Sequence, residues 1–364
     1  MTKKYTCLLG ILLFIFSCTS CTQDDSYVSI KHTQVSPVML DFNSSPYKTL
    51  SEYNFFEGKM ADLKPVYGVL PYKIKSGLFI DYAKAKTFVW MPKGSKAKYV
   101  NDHSVLDFPD GAVLITTHYF ENVWPKNNAQ MIETRLIIKK QGEWILANYK
   151  WNEEQSEANY TTEGSFVGVR WMGDNNATRT VNYKIPSYDE CYACHNKYDE
   201  ILPIGTKPQN INHSIPFKDG FKNQLSKWVE FGYLDSDYPS TINSVVNWED
   251  ETQPLNLRVR SYLDINCAHC HSEKGYCEYA PMRFAFNKTE DLVNIGVGVQ
   301  HGFDIDNALT NIVTPGSAEN SALLYRLSST LDEYKMPIIG RTLQHKEGVQ
   351  LIEKWINSLE RINN

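Results

Sequence analysis

Two stretches hold most of the side chains that could do chemistry: Cys191-Tyr-Ala-Cys194-His195 and Cys267-Ala-His-Cys270-His271. In each, two thiols stand three residues apart and a histidine follows directly. Thiols one helical turn apart can add to the two vinyl groups along one edge of a porphyrin, and the next imidazole can then reach the iron as proximal ligand. The expectation is two covalent c-type haems. One would be held by Cys191 and Cys194 with His195 on its iron, the other by Cys267 and Cys270 with His271. Two rivals use the same residues. A zinc site built from the four cysteines would leave the adjacent histidines as coincidence, and thiolate zinc sites suit an oxidising compartment poorly. A thioredoxin-like dithiol would want a βαβ setting, and none is evident around either motif. His269, inside the second motif, reads as a spacer or a local hydrogen-bonding group, because His271 already holds the attachment position.

The far side of each iron sets what the site does: methionine opposite histidine suits electron transfer, whereas an open position admits small molecules. Tyr334-Lys-Met336-Pro337 places Met336 65 residues after His271 and just before an amphipathic terminal stretch. Met336 is therefore the expected axial ligand of the second haem, with Met282 behind it. No methionine occurs between His195 and Met282. His213 is the local candidate for the first haem; Met60, His118, Met131 or Met172 could reach in from the front of the chain, or the position could be vacant.

These residues must be held by elements of two kinds. From about Tyr27 to Tyr183 the chain is rich in aromatic and β-branched residues, and Gly77–Tyr82, Thr87–Trp90, Ala112–Phe120, Glu133–Lys139 and Trp144–Trp151 read as strands. Asp110-Gly111, Gln141-Gly142 and the run from Gly173 to Ala177 supply turns. After Pro186, Asn223–Leu234, Leu255–Asn266 and Glu347–Leu359 carry apolar residues at helical spacing. The expected fold class is α+β: a β-rich antiparallel sandwich or barrel, followed by mainly α, cytochrome c-like haem domains. The expected division is a lipoprotein signal and tether over 1–24, a β-rich domain over 25–183, a first haem-binding helical unit over 184–250 and a class I cytochrome c-like domain over 251–364.

The opening MTKKYTCLLGILLFIFSCTSCTQDDS is a basic start, an apolar run and then small residues, an export signal too short to span a bilayer as a mature helix. Ile15-Phe16-Ser17-Cys18 resembles a lipoprotein box, with Cys18 as the lipidated residue and Cys21 as the alternative. The expectation is an exported protein in the periplasm or on the outer membrane or cell surface, touching the membrane by its lipid anchor only. At 42% hydrophobic and 13% aromatic, 364 residues can build substantial cores. Cleavage before Cys18 would remove Lys3 and Lys4 and no acids, leaving 35 basic against 42 acidic residues. That mild acidity gives no sign of a nucleic-acid partner. Of eight cysteines, three lie in the export segment, four form the two motifs, and Cys277 stands alone.

Several stretches together resemble a family of exported bacterial diheme c-type cytochromes of conserved hypothetical type: Gly77–Ala83, Glu133–Ile138, Trp151–Gln155, Pro203–Asn210, Asn223–Leu225, Tyr262–His271, and Pro315-Gly316 followed by Ser321. The resemblance covers nearly the whole mature chain. It implies two covalent haems, electron transfer with a redox protein or a membrane electron-transfer complex, and Met336 as a ligand. It implies no substrate. Two other functions compete with the electron carrier. A diheme peroxidase-like oxidoreductase would act at a first haem that lacks a sixth ligand, and a binding module would use surface aromatics of the β-rich part to hold a polysaccharide or a quinol.

Overall fold

A computed structural model describes residues 34–173, 176–302, 305 and 309–360. The export segment, with Cys18 and Cys21, lies outside them. No helix among the described residues is long and apolar enough to cross a membrane.

The front half is one antiparallel sheet of eight strands: β1 (Leu70–Tyr72), β2 (Lys84–Trp90), β3 (Val113–Val123), β4 (Asn128–Lys140), β5 (Glu143–Trp151), β6 (Ala158–Thr161), β7 (Ser165–Met172) and β8 (Thr178–Ile185). Strands β1 to β6 pair in chain order. The β7–β8 hairpin joins the far end of β3 through Val123 and Trp171. Among the described strands β1 pairs only with β2 and β6 only with β5, so the ladder does not close into a barrel. The β4–β5 turn follows from Gln141-Gly142, where both residues take positive φ (52° and 82°), the pair a tight primed hairpin turn requires.

The register divides the sheet's side chains between two faces. Phe88, Ile115, Leu136 and Ala147 lie across from one another on one face, under a cap of Leu50, Tyr53 and Phe55. Val89, Leu114, Ile137 and Leu146 share the other face, part of which packs on Trp228 and Leu225 of a helix from the back half. Most strand aromatics are core, as packing on a pleated surface favours. Phe166 on β7 is an exposed exception, and Trp124, just after β3, is exposed with the guanidinium of Arg170 5.3 Å from its ring.

The expectation of a mainly α, cytochrome c-like back half is wrong. Six helices occur among the described residues: α1 (Tyr188–His195), α2 (Pro208–Ile211), α3 (Gln224–Phe231), α4 (Leu255–Asn266), α5 (Ala322–Ser328) and α6 (Lys346–Ser358). Between α1 and α3 come two small hairpins, β9 (Asn196–Lys197) with β10 (Glu200–Ile201) and β11 (Ser214–Phe217) with β12 (Gly220–Asn223). Among the described residues from Cys267 to Ser321, only one turn of 3-10 helix, Leu292–Ile295, breaks a run of loops. The amphipathic stretches do form their helices. The connections, punctuated by Gly296, Gly298, Pro315 and Gly316, do not extend them.

Local chemistry sets the helix ends. In α3, Asn223 Oδ1 accepts from the backbone N–H groups of Leu225 and Ser226, and Gly232 closes the helix at φ 87°. In α6, Leu351, Ile352, Trp355 and Ile356 are buried at three- and four-residue spacing against α4, each contributing roughly 1.5–3 kcal/mol by leaving water. Gly77–Tyr82, expected as a strand, is a bend instead. Asp81 and Tyr82 take φ of 49° and 65°, and the Asp81 carboxylate accepts from Thr342 and Leu343 near the start of α6. The apolar run that suggested a strand buries Ile80 in the core beneath β7 and β8.

Candidate functional site

The first motif sits on α1, which its own sequence starts and stops. Ser187 and Glu190 form a reciprocal cap: Ser187 Oγ accepts from Glu190 N–H at 3.3 Å, and the Glu190 carboxylate accepts from Ser187 N–H at 3.0 Å. Lys184 pairs with the same carboxylate. The helix ends at His195, whose carbonyl accepts from Leu202 N–H at 2.8 Å while its Nδ1 meets the Leu202 carbonyl at 2.7 Å. That second bond places the proton on Nδ1 and leaves Nε2 as the free lone pair, the arrangement metal-binding histidines use to fix ring and tautomer. Burial lowers the His195 pKa to about 4, so the ring is a neutral base at neutral pH.

Cys191 and His195 face a cavity of about 680 Å³ between α1 and the sheet, within the roughly 300–1,000 Å³ of ordinary cofactor pockets. The register explains its far wall. Thr87, Thr116, Arg135 and Asn148 form one row across β2 to β5, and Ala85, His118 and Glu133 belong to the next row on the same face. All but Glu133 line the cavity. The sheet face that is apolar beneath α3 is thus polar beneath α1. Several of these polar atoms are buried without partners: Nδ1 of His118, Nε of Arg135 and both amide atoms of Asn148. Buried polar groups are normally satisfied, so this wall is built to meet something more polar than its own side chains. Lys73 also lines the cavity, whereas the Lys86 ammonium turns to the opposite sheet face, over the Tyr119 ring.

A buried ionic group braces the wall. Glu133 accepts from Arg135 at 2.5 Å and from the Tyr183 hydroxyl at 2.6 Å. Burial pushes the Glu133 pKa up, but the charge and hydrogen bond of Arg135, aided by His118 and Tyr183, outweigh it and hold the carboxylate ionised. Burial takes His118 down to about 3, assisted by Arg135, so its imidazole is neutral. Sequence reasoning missed Glu133, Arg135, Asn148 and Tyr183. The available signal was the pair of charges two residues apart in a strand with apolar neighbours on both sides.

The second motif follows α4. Cys267 ends that helix, and its N–H donates to the Leu263 carbonyl. Its side chain enters the core with Tyr262, Met282, Phe284 and Leu351, where burial pushes the thiol up to about 12. His271 is 7% exposed and meets Phe284 edge to face at 5.1 Å, and its Nδ1 has no partner. Burial, with the charges of His269, Arg283 and Arg326, lowers it to about 4.

The two motifs meet. The ligand atoms of Cys194, His269 and Cys270 lie within 4.8 Å of one another, so His269, read as a spacer, is part of a cluster. The hydrogen bond between the two sulfurs acidifies Cys194 to about 4 against the cost of burial, with a bond to His269 adding to it. Cys270 is pushed far up by its interactions with Cys194 first and Cys277 next, and by burial. Cys277 thus belongs to the cluster's edge, and its N–H donates to the Cys270 carbonyl. The loops after the motifs are also joined. Lys197 bridges Gly275, and Tyr198 N–H donates to the Lys274 carbonyl. Gly275 has to be small there: a Cβ would stand 2.6 Å from the Cys270 carbonyl oxygen.

The remaining expected residues fall elsewhere. His213 lies under Gln224, near Lys73 and Lys75, and does not line the cavity. Met60, Met131 and Met172 do not line it either. Met282 packs in the core that holds Cys267 and Phe284. Met336 is half-buried in a loop pinned through its backbone: its N–H donates to the Arg326 carbonyl, and its own carbonyl accepts from Arg341. Comparison of the chain with protein-family models, with curated proteins and with solved structures finds no match in any of the three.

Proposed function

We propose that this protein is an exported c-type cytochrome carrying two covalent haems, and that it passes electrons between them and a redox protein or membrane electron-transfer complex. One observation carries this reading: Cys194 and Cys270, each the second cysteine of its motif, lie within 4.8 Å of one another. The attachment edges of two porphyrins would then be neighbours, with no intervening core for an electron to cross. Two covalent sites brought together by folding need a function that uses both.

When bound, the haems supply one-electron redox chemistry. The chain supplies the rest. Cys191 and Cys194 would hold the first group, His195 would offer Nε2 to its iron, and the polar wall with Arg135 would meet its anionic edge. Cys267 and Cys270 would hold the second, with His271, Met336 and Met282 as the residues that could ligate its iron. The buried polar wall fits the group better than it fits an apolar ligand, because it leaves partnerless donors and acceptors on the cavity side. A lipid anchor at Cys18 or Cys21 would hold the carrier at a membrane surface.

A second reading rests on the same cluster. Two sulfurs and an imidazole within 4.8 Å suit a zinc-type ion, and Cys191 faces the cavity while Cys267 enters the core, away from that cluster. Coexpression with a cytochrome c maturation system separates the two. The cytochrome gives a covalent haem stain on a denaturing gel and two irons per chain, and Cys194→Ala and Cys270→Ala each lower covalent haem attachment at their own motif. Protein without haem stain that instead carries one zinc per chain would establish the second reading and end the first.

A further inference from the structure

We infer that His118 is the axial ligand opposite His195 on the first haem iron, which makes that site bis-histidine and closed rather than open to small molecules. This rests on covalent attachment at Cys191 and Cys194. Among the described residues His118 is the only histidine besides His195 that lines the cavity, and no methionine lines it.

Burial and bonding point the same way. His118 is 5% exposed, and its Nδ1 has no hydrogen-bond partner. A buried imidazole that served only as core would normally be bonded, because an unmet nitrogen costs on the order of 1–3 kcal/mol. His195 shows the contrast. Its Nδ1 is held by the Leu202 carbonyl and its other nitrogen is kept for a metal. His118 stands on a central strand of the sheet, where its position is well fixed. Its neighbour across on β2 is Ala85, too small to fill the space in front of the ring. Directly after His118 the pairing shifts from His118 opposite Glu133 to Tyr119 opposite Met131. Such bulges re-aim side chains and recur beside functional sites.

Glu133 stands across the ladder from the ligand. One carboxylate oxygen is taken by Arg135 and Tyr183, and Oε2 is buried without a partner on the strand directly opposite His118. A carboxylate beside a metal-bound imidazole fixes its orientation and raises its basicity. Glu133 makes no hydrogen bond to the ring; it leaves a free carboxylate oxygen across the ladder from it, and His118 is the ligand.

The test uses the matured full chain, read by electron paramagnetic resonance, the visible spectrum and carbon monoxide binding. The wild type is expected to show the first iron low-spin and slow to bind carbon monoxide. His118→Ala should keep both covalent haems but turn one iron high-spin and open to carbon monoxide, with added imidazole restoring the low-spin signal. His118→Met, closer in size and able to ligate, should instead give a low-spin histidine–methionine spectrum and a higher midpoint potential. Two haems with ligation unchanged in both variants would overturn the assignment and leave the cytochrome reading standing. A wild-type first iron that is already five-coordinate would also overturn it. A wild-type chain without haem would instead defeat the reading on which it rests.

Discussion

Replacing Asp81 should separate two effects that its carboxylate combines. Asp81 is 2% exposed and accepts from Thr342 N–H at 2.8 and 2.9 Å, from Leu343 N–H at 2.8 Å and from Thr342 Oγ1 at 2.8 Å. It ties the bend before β2 to the loop between Met336 and α6. Asp81→Ala strands two backbone N–H groups at about 1–3 kcal/mol each, and alanine at φ 49° adds about 1 kcal/mol that aspartate tolerates better. The expected loss is about 5 kcal/mol. Asp81→Asn keeps one carbonyl oxygen for both N–H groups, turns its amide toward a hydroxyl that can accept as well as donate, and suits the left-handed backbone. Its expected loss is about 1 kcal/mol. Urea unfolding of the matured protein, followed by tryptophan fluorescence, gives both differences. Equal losses for the two variants, or an alanine loss below about 1 kcal/mol, would refute the reasoning.

Three further outcomes follow from other parts of the fold. His345 caps α6, stacks on Phe79 at 4.0 Å and contacts Trp248 and the Tyr262 hydroxyl, and burial takes its pKa from 6.5 to about 4, with Arg341 lowering and Glu347 raising it. The unfolded chain therefore binds a proton that the folded chain refuses, so this stability is complete above about pH 6.5 and is lost as pH falls toward 4. The gap corresponds to on the order of 3 kcal/mol, and His345→Gln should flatten the stability–pH curve in that window. Trp228→Ala, at a fully buried ring edge-on to Tyr72 and Phe108, should cost about 3–5 kcal/mol in denaturant unfolding, and Trp228→Phe clearly less. Gly275→Ala forces a methyl against the Cys270 carbonyl and should lower covalent haem attachment at the second motif more than at the first, read from the mass of proteolytic fragments.

The sequence carried the local signals well and the long-range ones poorly. Val259 and Leu263 placed α4 correctly, and Gln141-Gly142 marked a hairpin that the structure contains. Gly77–Tyr82 misled because its apolar run Leu78-Phe79-Ile80 matches a strand, while the left-handed backbone at Asp81 and Tyr82 depends on donors from Thr342 and Leu343, some 260 residues away. The mainly α back half was an extrapolation from three amphipathic stretches to the loops between them. The meeting of Cys194, His269 and Cys270 has no signature in either motif, because it comes from how the loops around Lys197 and Gly275 pair. His118 was visible only as one name among several. Its distinction needs the register, which sets it on the same face as Arg135 and Asn148.

The depth of Cys267 has a consequence in time as well as space. Its thiol packs in the core with Tyr262, Met282 and Leu351 and is 9% exposed. A modifying enzyme cannot reach a sulfur sealed beneath α4 and α6, so any covalent chemistry there belongs to the nascent, still open chain. If the proposed group is attached at Cys267, attachment has to come first and closure second, and a chain that folds before it is modified loses that opportunity.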